Sequence, residues 1–218
     1  MCNLYSMTKG QDAIRALFDG ITDTTGNLPA FDAIFPDMAA PVVRNGAGGP
    51  ELAMARWGMP SPQFALKGRK TDPGVTNIRN TASPHWRRWL GVEHRCVVPF
   101  TSFSEYETGP DGKKRPVWFA QDADRPLMFF AGLWTRWTSV RRIKDGETTD
   151  DLFGFLTCPA NAVVGAIHPK AMPVILEDMA AVHMWLNRPT AEALALQKPL
   201  PDHRLMIVAR GERYDGRA

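Results

Sequence analysis

The sequence predicts an α+β fold: one domain over residues 1–218, mainly antiparallel β-sheet, curved or barrel-like, with peripheral short helices. Three observations lead there. The apolar runs are short and interrupted by charge or proline. The connections between them are mostly of hairpin length, which a doubly wound parallel sheet does not allow. No internal repeat, linker or low-complexity tract divides the 218 residues. At 44% hydrophobic residues the chain can bury a sizeable core.

In chain order, Thr8-Lys9-Gly10-Gln11 has capping-box spacing, and Ile14, Leu17 and Phe18 give an apolar face to a helix ending near Gly20. Residues 21–40 are rich in turn formers and read as loop. Residues 41–44 and 52–57 flank Asn45-Gly46-Ala47-Gly48-Gly49-Pro50 as a β-hairpin with a long tip. A Pro- and Gly-punctuated loop with Lys67, Arg69 and Lys70 follows, then a short extended piece over residues 75–80. Ser83-Pro84 places an N-cap before proline at the first helical position, for a helix with Trp86, Trp89 and Leu90 that stops at Gly91.

Residues 96–100 form an apolar strand. Residues 102–107 alternate in period two, putting Phe103, Glu105 and Glu107 on one face. Gly109-Pro110-Asp111-Gly112 turns the chain into a strand over 117–120. Residues 127–134 read as a buried strand, connected through Asp145-Gly146 to a strand over 152–158. A short helix over 161–167, a loop at 168–171, a strand over 172–176, helices over 180–186 and 191–196, and a strand over 205–209 complete the chain.

Several chemistries lack sequence support. No apolar stretch approaches the roughly 20 residues of a membrane span, and Leu4-Tyr5-Ser6-Met7-Thr8-Lys9 is not the apolar part of a secretory signal. The expected compartment is the cytoplasm. Cys2, Cys96 and Cys158 are odd in number and far apart, which argues against a disulfide framework. There is no Cys-x-x-Cys, His-Glu-x-x-His or phosphate-cradling Gly-rich motif, so no metal or cofactor is expected. Cys96 and Cys158 sit in apolar strands and read as core.

The formal charge is +3, but Arg87-Arg88, His94-Arg95, Lys113-Lys114-Arg115 and Arg141-Arg142 are clustered. Trp86, Trp89, Trp118, Trp134 and Trp137 lie among or near them. Arginine beside aromatics suits single-stranded nucleic acid, where bases stack and phosphates need cations. A solvated basic surface over a tryptophan-rich core accounts for the same pattern.

Cys2 carries the most distinctive chemistry. Cysteine is small enough for an aminopeptidase to remove Met1, which leaves an α-amine and a thiol on adjacent carbons. The reference pKa values, about 7.7–8.0 and about 8.5, leave both partly deprotonated near neutrality. An aldehyde condenses with such an amine to an imine, and the thiol closes a five-membered thiazolidine. A floppy chain end is the alternative reading.

Six segments then occur in a familiar order: Met1-Cys2-Asn3, Arg56-Trp57-Gly58, Asn77-Ile78-Arg79, Phe103-Ser104-Glu105-Tyr106, Phe130-Ala131-Gly132-Leu133-Trp134, and Ile167-His168 with Met172-Pro173-Val174-Ile175-Leu176. In this the chain resembles the SOS response-associated peptidase family, the abasic-site processing proteins, from Cys2 to about Leu186. The resemblance implies a monomer that binds single-stranded DNA containing abasic sites, in the nucleoid when bound, and forms a thiazolidine crosslink through Cys2. It also implies roles by motif position: Cys2 as nucleophile, Asn77 orienting the terminus or sugar, Glu105 as acid/base, and His168 assisting ring opening or acting 3′ of the lesion. Arg79, Lys170, Arg56 and Trp57 are the implied DNA contacts. The chain departs from the family's usual Met-Cys-Gly-Arg start, since Leu4 stands where the arginine would meet phosphate. The usual His-x-Arg-Met-Pro is one residue longer here, His168-Pro169-Lys170-Ala171-Met172-Pro173, and Met59-Pro60-Ser61-Pro62 replaces a tryptophan-bearing stretch. A cysteine peptidase using Cys2 and His168, and a non-catalytic DNA-binding module, are the competing functions.

Overall fold

The computed structural model describes residues 2–215. It is mostly β with a few short helices in one compact domain, the fold class expected from the sequence. The strands are β1 (Tyr5–Met7), β2 (Thr22–Asp23), β3 (Phe31–Ile34), β4 (Ala39–Gly46), β5 (Gly49–Trp57), β6 (Asn77–Ile78), β7 (Arg95–Phe100), β8 (Ser102–Thr108), β9 (Lys114–Ala120), β10 (Met128–Val140), β11 (Glu147–Cys158), β12 (Met172–Pro173), β13 (Ile175–Leu176) and β14 (Met206–Arg210). The helices are α1 (Gln11–Arg15), α2 (Gln63–Leu66), α3 (Pro84–Arg87), α4 (Ala162–Gly165), α5 (Met179–Asn187) and α6 (Thr190–Leu194).

Five strands close on themselves. β4 pairs with β5, β5 with β11, β11 with β10, β10 with β7, and β7 with β4. Closure removes the edges that an open sheet must protect. The sheets are mainly antiparallel, as the sequence pattern suggested, and the β5–β11 and β6–β11 pairings add parallel contacts. Parallel partners come from far apart in the chain and leave no hairpin signal. A second sheet, in the order β14-β9-β8-β1-β3, packs against the barrel through Tyr5 and Phe103. Tyr5 meets Trp57, Phe130 and Phe155 edge to face, with centroids at 5.1, 5.8 and 6.2 Å. These T-shaped contacts suit the ring quadrupoles.

Local expectations hold where short-range chemistry sets the element. Ser83 caps α3, its hydroxyl accepting from the His85 amide, with Pro84 at the start. Asn161 caps α4 by accepting from the Val164 amide at 2.9 Å. Others are corrected. The Thr8 hydroxyl bonds the Thr101 hydroxyl at 3.1 Å and does not cap α1, which is only five residues long. Residues 21–40 hold β2 and β3, recruited as added strands by β5 and β1. The hairpin tip is tight, because β4 and β5 pair as far as Gly46 opposite Gly49. β10 and β11 run well past their apolar halves, since ladder pairing continues through polar residues to Val140 opposite Glu147.

Two of the basic positions are interior. Arg95 is 1% exposed. It donates to the carbonyls of Leu90 at 2.9 Å, Trp185 at 2.9 Å and Arg188 at 2.6 Å, and to the Thr190 hydroxyl at 2.9 Å. Its guanidinium joins α5 and α6 to β7. Arg141 is buried, donating to the Asp72 and Gly58 carbonyls. Neither meets a phosphate. Trp86, Trp89 and Trp118 are buried as well, so much of the tryptophan pattern is core.

Arg95→Met keeps most of the volume but leaves those carbonyls without their donor. At about 1–3 kcal/mol for each unsatisfied buried group, the variant is expected to lose on the order of 3 kcal/mol or more. Urea unfolding measures it, as a lower midpoint at an unchanged denaturant slope.

Candidate functional site

Cys2 is held in place from both sides. β1 lies between β3 and β8. The Ser104 amide donates to the Leu4 carbonyl at 2.8 Å, and the Thr101 amide to the Ser6 carbonyl at 2.8 Å. Tyr5 pairs with Phe103, so continuing that register brings Glu105 beside the Cys2-Asn3 segment. On the other side, Asn77 donates from Nδ2 to the Cys2 carbonyl at 2.8 Å and to the Thr76 hydroxyl at 2.8 Å. The Thr76 hydroxyl in turn donates to Asn3 Oδ1 at 3.3 Å. Cys2 is 1% exposed, with its thiol toward the Leu4 carbonyl at 3.4 Å.

Trp57 explains why Asn77 stands where it does. Its ring is wholly buried, stacked on Phe155 at 5.2 Å and Phe153 at 6.3 Å. Its indole N–H donates to the Thr76 carbonyl at 3.2 Å. β6 then pairs with β11 through Asn77 opposite Phe155. The expectation that Trp57 contacts DNA is therefore corrected: a ring with no exposed face cannot stack a base, and it supports the site from behind. Arg56, next to it on β5, is committed to carboxylates. It meets Asp37 Oδ1 at 2.7 Å and Asp150 Oδ2 at 3.2 Å with 14% of its side chain exposed. Its charge is met by those two carboxylates, which argues against the DNA contact expected of it.

Burial tunes the site's titratable groups. Glu105 is 3% exposed, and desolvation pushes its carboxyl up to about 7. Its neighbour in alternation, Glu107, is more open and pairs with Arg210 at 2.5 Å. The Cys2 thiol is pushed well up, first by burial and then by the Glu105 carboxylate. His168 is half-buried, in the turn where its amide donates to the Val164 carbonyl at 2.8 Å. Burial and then the Lys170 charge lower its pKa, so its imidazole is neutral near pH 7. The Asn77 Oδ1 is buried and accepts no hydrogen bond from the described residues. An open acceptor of that kind beside Cys2 is unusual in a protein interior.

The cationic side of the site is built by β11. β12 pairs with its end, Thr157 opposite Pro173 and Cys158 opposite Met172. That brings the His168–Lys170 turn to the end where Asn77 pairs. Arg79, exposed, donates through Nη1 to the Lys170 carbonyl at 2.7 Å and the Cys158 carbonyl at 3.5 Å. Arg79 and the exposed Lys170 thus share one rim. Cys2, Asn77 and Glu105 form one cluster, with Arg79 and Lys170 at its edge and His168 in the adjoining turn. Sequence reading passed over Thr76, which links Asn3 to Asn77, because a lone threonine before an asparagine carries no signal. It also passed over Phe64, which stands 84% exposed on α2 within the Pro- and Gly-punctuated loop. Among the described residues, no three His, Cys, Asp or Glu side chains lie together to hold a metal ion. No helix among them is long and apolar enough to cross a membrane.

The sequence model of the SOS response associated peptidase (SRAP) family matches residues 1–210. No curated protein matches the chain. Crystal structures of other proteins share its fold, among them the following. A protein from Bordetella bronchiseptica is 25% identical, with 96% of this chain and 98% of that one covered at a TM-score of 0.71. A protein from Bacteroides thetaiotaomicron is 23% identical, with 94% and 90% covered at 0.71. A phage-related protein from Bordetella bronchiseptica is 20% identical, with 94% and 92% covered at 0.68.

The raised Glu105 carboxyl has a consequence for stability. Its folded pKa lies above the ordinary value of 4.5, so the folded state binds more protons than the unfolded state between pH 4.5 and about 7. Stability is full below that window and is lost as pH rises through it. The loss is bounded at on the order of 3 kcal/mol by the size of the shift. Glu105→Gln is expected to flatten the dependence, gaining stability relative to the parent at pH 8 but not at pH 4. Urea unfolding at the two pH values checks it.

Proposed function

The chain belongs to the SOS response associated peptidase (SRAP) family, and from that premise we propose that it crosslinks itself to abasic sites in single-stranded DNA through Cys2. The family places it in the context of the SOS response and of DNA. The observation that carries the finer reading is the fixation of Cys2. A residue this close to a chain end ordinarily frays. Here it is buried, held at its carbonyl by Asn77 and set beside a carboxyl poised near 7.

The chemistry follows from those groups once Met1 is removed. The Cys2 amine attacks the C1′ aldehyde of the open-chain deoxyribose, and the carbinolamine loses water to give an imine. Cys2 Sγ then adds to C1′ as the nitrogen takes up a proton, closing the thiazolidine with one water as the only by-product. Glu105 accepts a proton from the ammonium and returns one to the departing hydroxyl, work for which a pKa near the operating pH is best suited. Asn77 holds the Cys2 backbone and offers Oδ1 to the amine or to a sugar hydroxyl. His168, neutral near pH 7, takes a proton in opening the sugar ring. Arg79 and Lys170 contact flanking phosphates, and exposed Phe64 offers a face to a base. The protein acts as a monomer. A peptidase with Cys2 as first nucleophile is supported less well, because burial, and then the neighbouring Glu105 carboxylate, oppose formation of a thiolate. In the crosslinking reaction the amine attacks first.

Three measurements test the proposal. Intact mass should show the loss of one methionine, since a retained Met1 blocks the amine. Cys2→Ala should abolish the denaturant-resistant adduct with abasic single-stranded DNA. An equally stable adduct from that variant would defeat the assignment. Glu105→Gln should slow crosslinking by about 10²-fold or less, at the low end for a general acid–base group. It should also change the pH–rate profile and leave DNA affinity within about threefold, because the effect lies in proton transfer. Glu107→Gln, on the same strand but paired with Arg210, should behave as the parent.

A further inference from the structure

A second basic and aromatic feature lies apart from Cys2. The loop over residues 58–74 and the outer half of β10 enclose an open cleft of about 250 Å³, lined by Leu66, Arg69, Lys70 and Trp137 among others. Trp137 is one of the few tryptophans not fully buried. Its ring meets Trp89 edge to face at 6.1 Å. The Arg88 guanidinium lies 4.0 Å over the Trp89 ring and 5.7 Å from the centre of Trp137. Arg69, Lys70 and Arg88 are all exposed. The carboxylate in the lining, Asp72, is buried and already accepts from the Ser61 amide at 3.0 Å and the Gly74 amide at 2.8 Å.

We propose that this cleft is a flanking subsite for single-stranded DNA, in which one base packs on Trp137 while Arg69, Lys70 and Arg88 meet the adjoining phosphates. The charge is complementary, with three exposed cations around an indole and the one carboxylate turned to the backbone. A half-exposed tryptophan among cations suits a base better than an acidic peptide, because every base has a π-face and a glutamate has none. Position agrees. Trp137 pairs with Asp150, and Asn77 pairs with Phe155, five residues further along β11. At roughly 3.3 Å per residue the cleft lies about 17 Å from the level of Asn77. A strand seated at Cys2 therefore reaches it within a few nucleotides. The inference rests on the reading of the chain as a single-strand binder, though not on the crosslink.

The experiment uses full-length protein carrying Cys2→Ala, so that only non-covalent binding is read. Anisotropy of a labelled, undamaged single strand long enough to span both places is followed across a salt series. Arg69→Ala/Lys70→Ala should weaken binding and make the salt dependence shallower by about 1.4 in log–log slope, at about 0.7 per phosphate for single strands. Trp137→Ala should weaken binding about tenfold, the order expected of one stacked base, and Trp137→Phe should restore most of it. If Trp137→Ala unfolds, the double variant decides alone, because its two side chains are exposed. An unchanged slope with affinity within twofold overturns the cleft, as does equal loss of binding to polyglutamate. Crosslinking by the parent with no effect of these variants sinks the cleft alone. Salt-dependent binding lost in the variants, with no crosslink from the parent, sinks the crosslink alone.

Discussion

The hydrogen bond from Asn77 to the Cys2 carbonyl is the contact on which the site depends. It joins the three-residue strand β1 to the closed barrel across 75 residues of sequence. Each end of that bond is supported. On the Asn77 side, Trp57 holds the Thr76 carbonyl and β11 holds Asn77 in parallel pairing. On the Cys2 side, β8 bonds the Leu4 and Ser6 carbonyls, and Ser6 also donates to Asp215 at 3.0 Å. An isolated three-residue strand has no stability of its own. Placed between two partner strands with every side chain buried, it cannot shift register without exposing apolar groups and stranding hydroxyls.

Burial at that point sets the electrostatics as well as the geometry. A carboxyl and a thiol taken out of water both resist ionisation, and the Glu105 charge adds to the thiol's cost of ionising. The result is a dry pair near the chain end, the thiol neutral and the carboxyl poised near 7. His168 responds to the same cause with the opposite sign, because burial and Lys170 both oppose its protonated form. One physical effect thus brings the Glu105 carboxyl up toward neutrality and keeps a lone pair on His168 there.

The basic residues separate into two populations by their partners. Arg95, Arg141 and Arg56 are spent on carbonyls and carboxylates inside the protein, where they bind elements together. Arg69, Lys70, Arg79, Arg88 and Lys170 stand at the surface. In one dimension these groups look alike. A cluster such as His94-Arg95 carries no mark that its arginine points inward, and the distinction rests on carbonyls supplied by helices ninety residues away.

Much that was legible in the sequence is local. The cap at Ser83, the alternation through Phe103 and Glu105, and the hairpin signal around Gly46 and Gly49 depend on neighbours within a few residues, so they can be read directly. Cys2 stood out by its chemistry, because removal of Met1 would leave an amine and a thiol on adjacent carbons, a pair that needs no fold to react with an aldehyde. What the tertiary structure decided is everything that needs distant partners: closure of the barrel through the parallel β5–β11 contact, the strands within residues 21–40, the burial of Trp57 and Arg95, and the carbonyl bond that holds Cys2. Burial and long-range pairing belong to the assembled core and not to any segment. The environment that raises Glu105 and excludes water from Cys2 therefore exists only once β1, β6, β8 and β11 have come together.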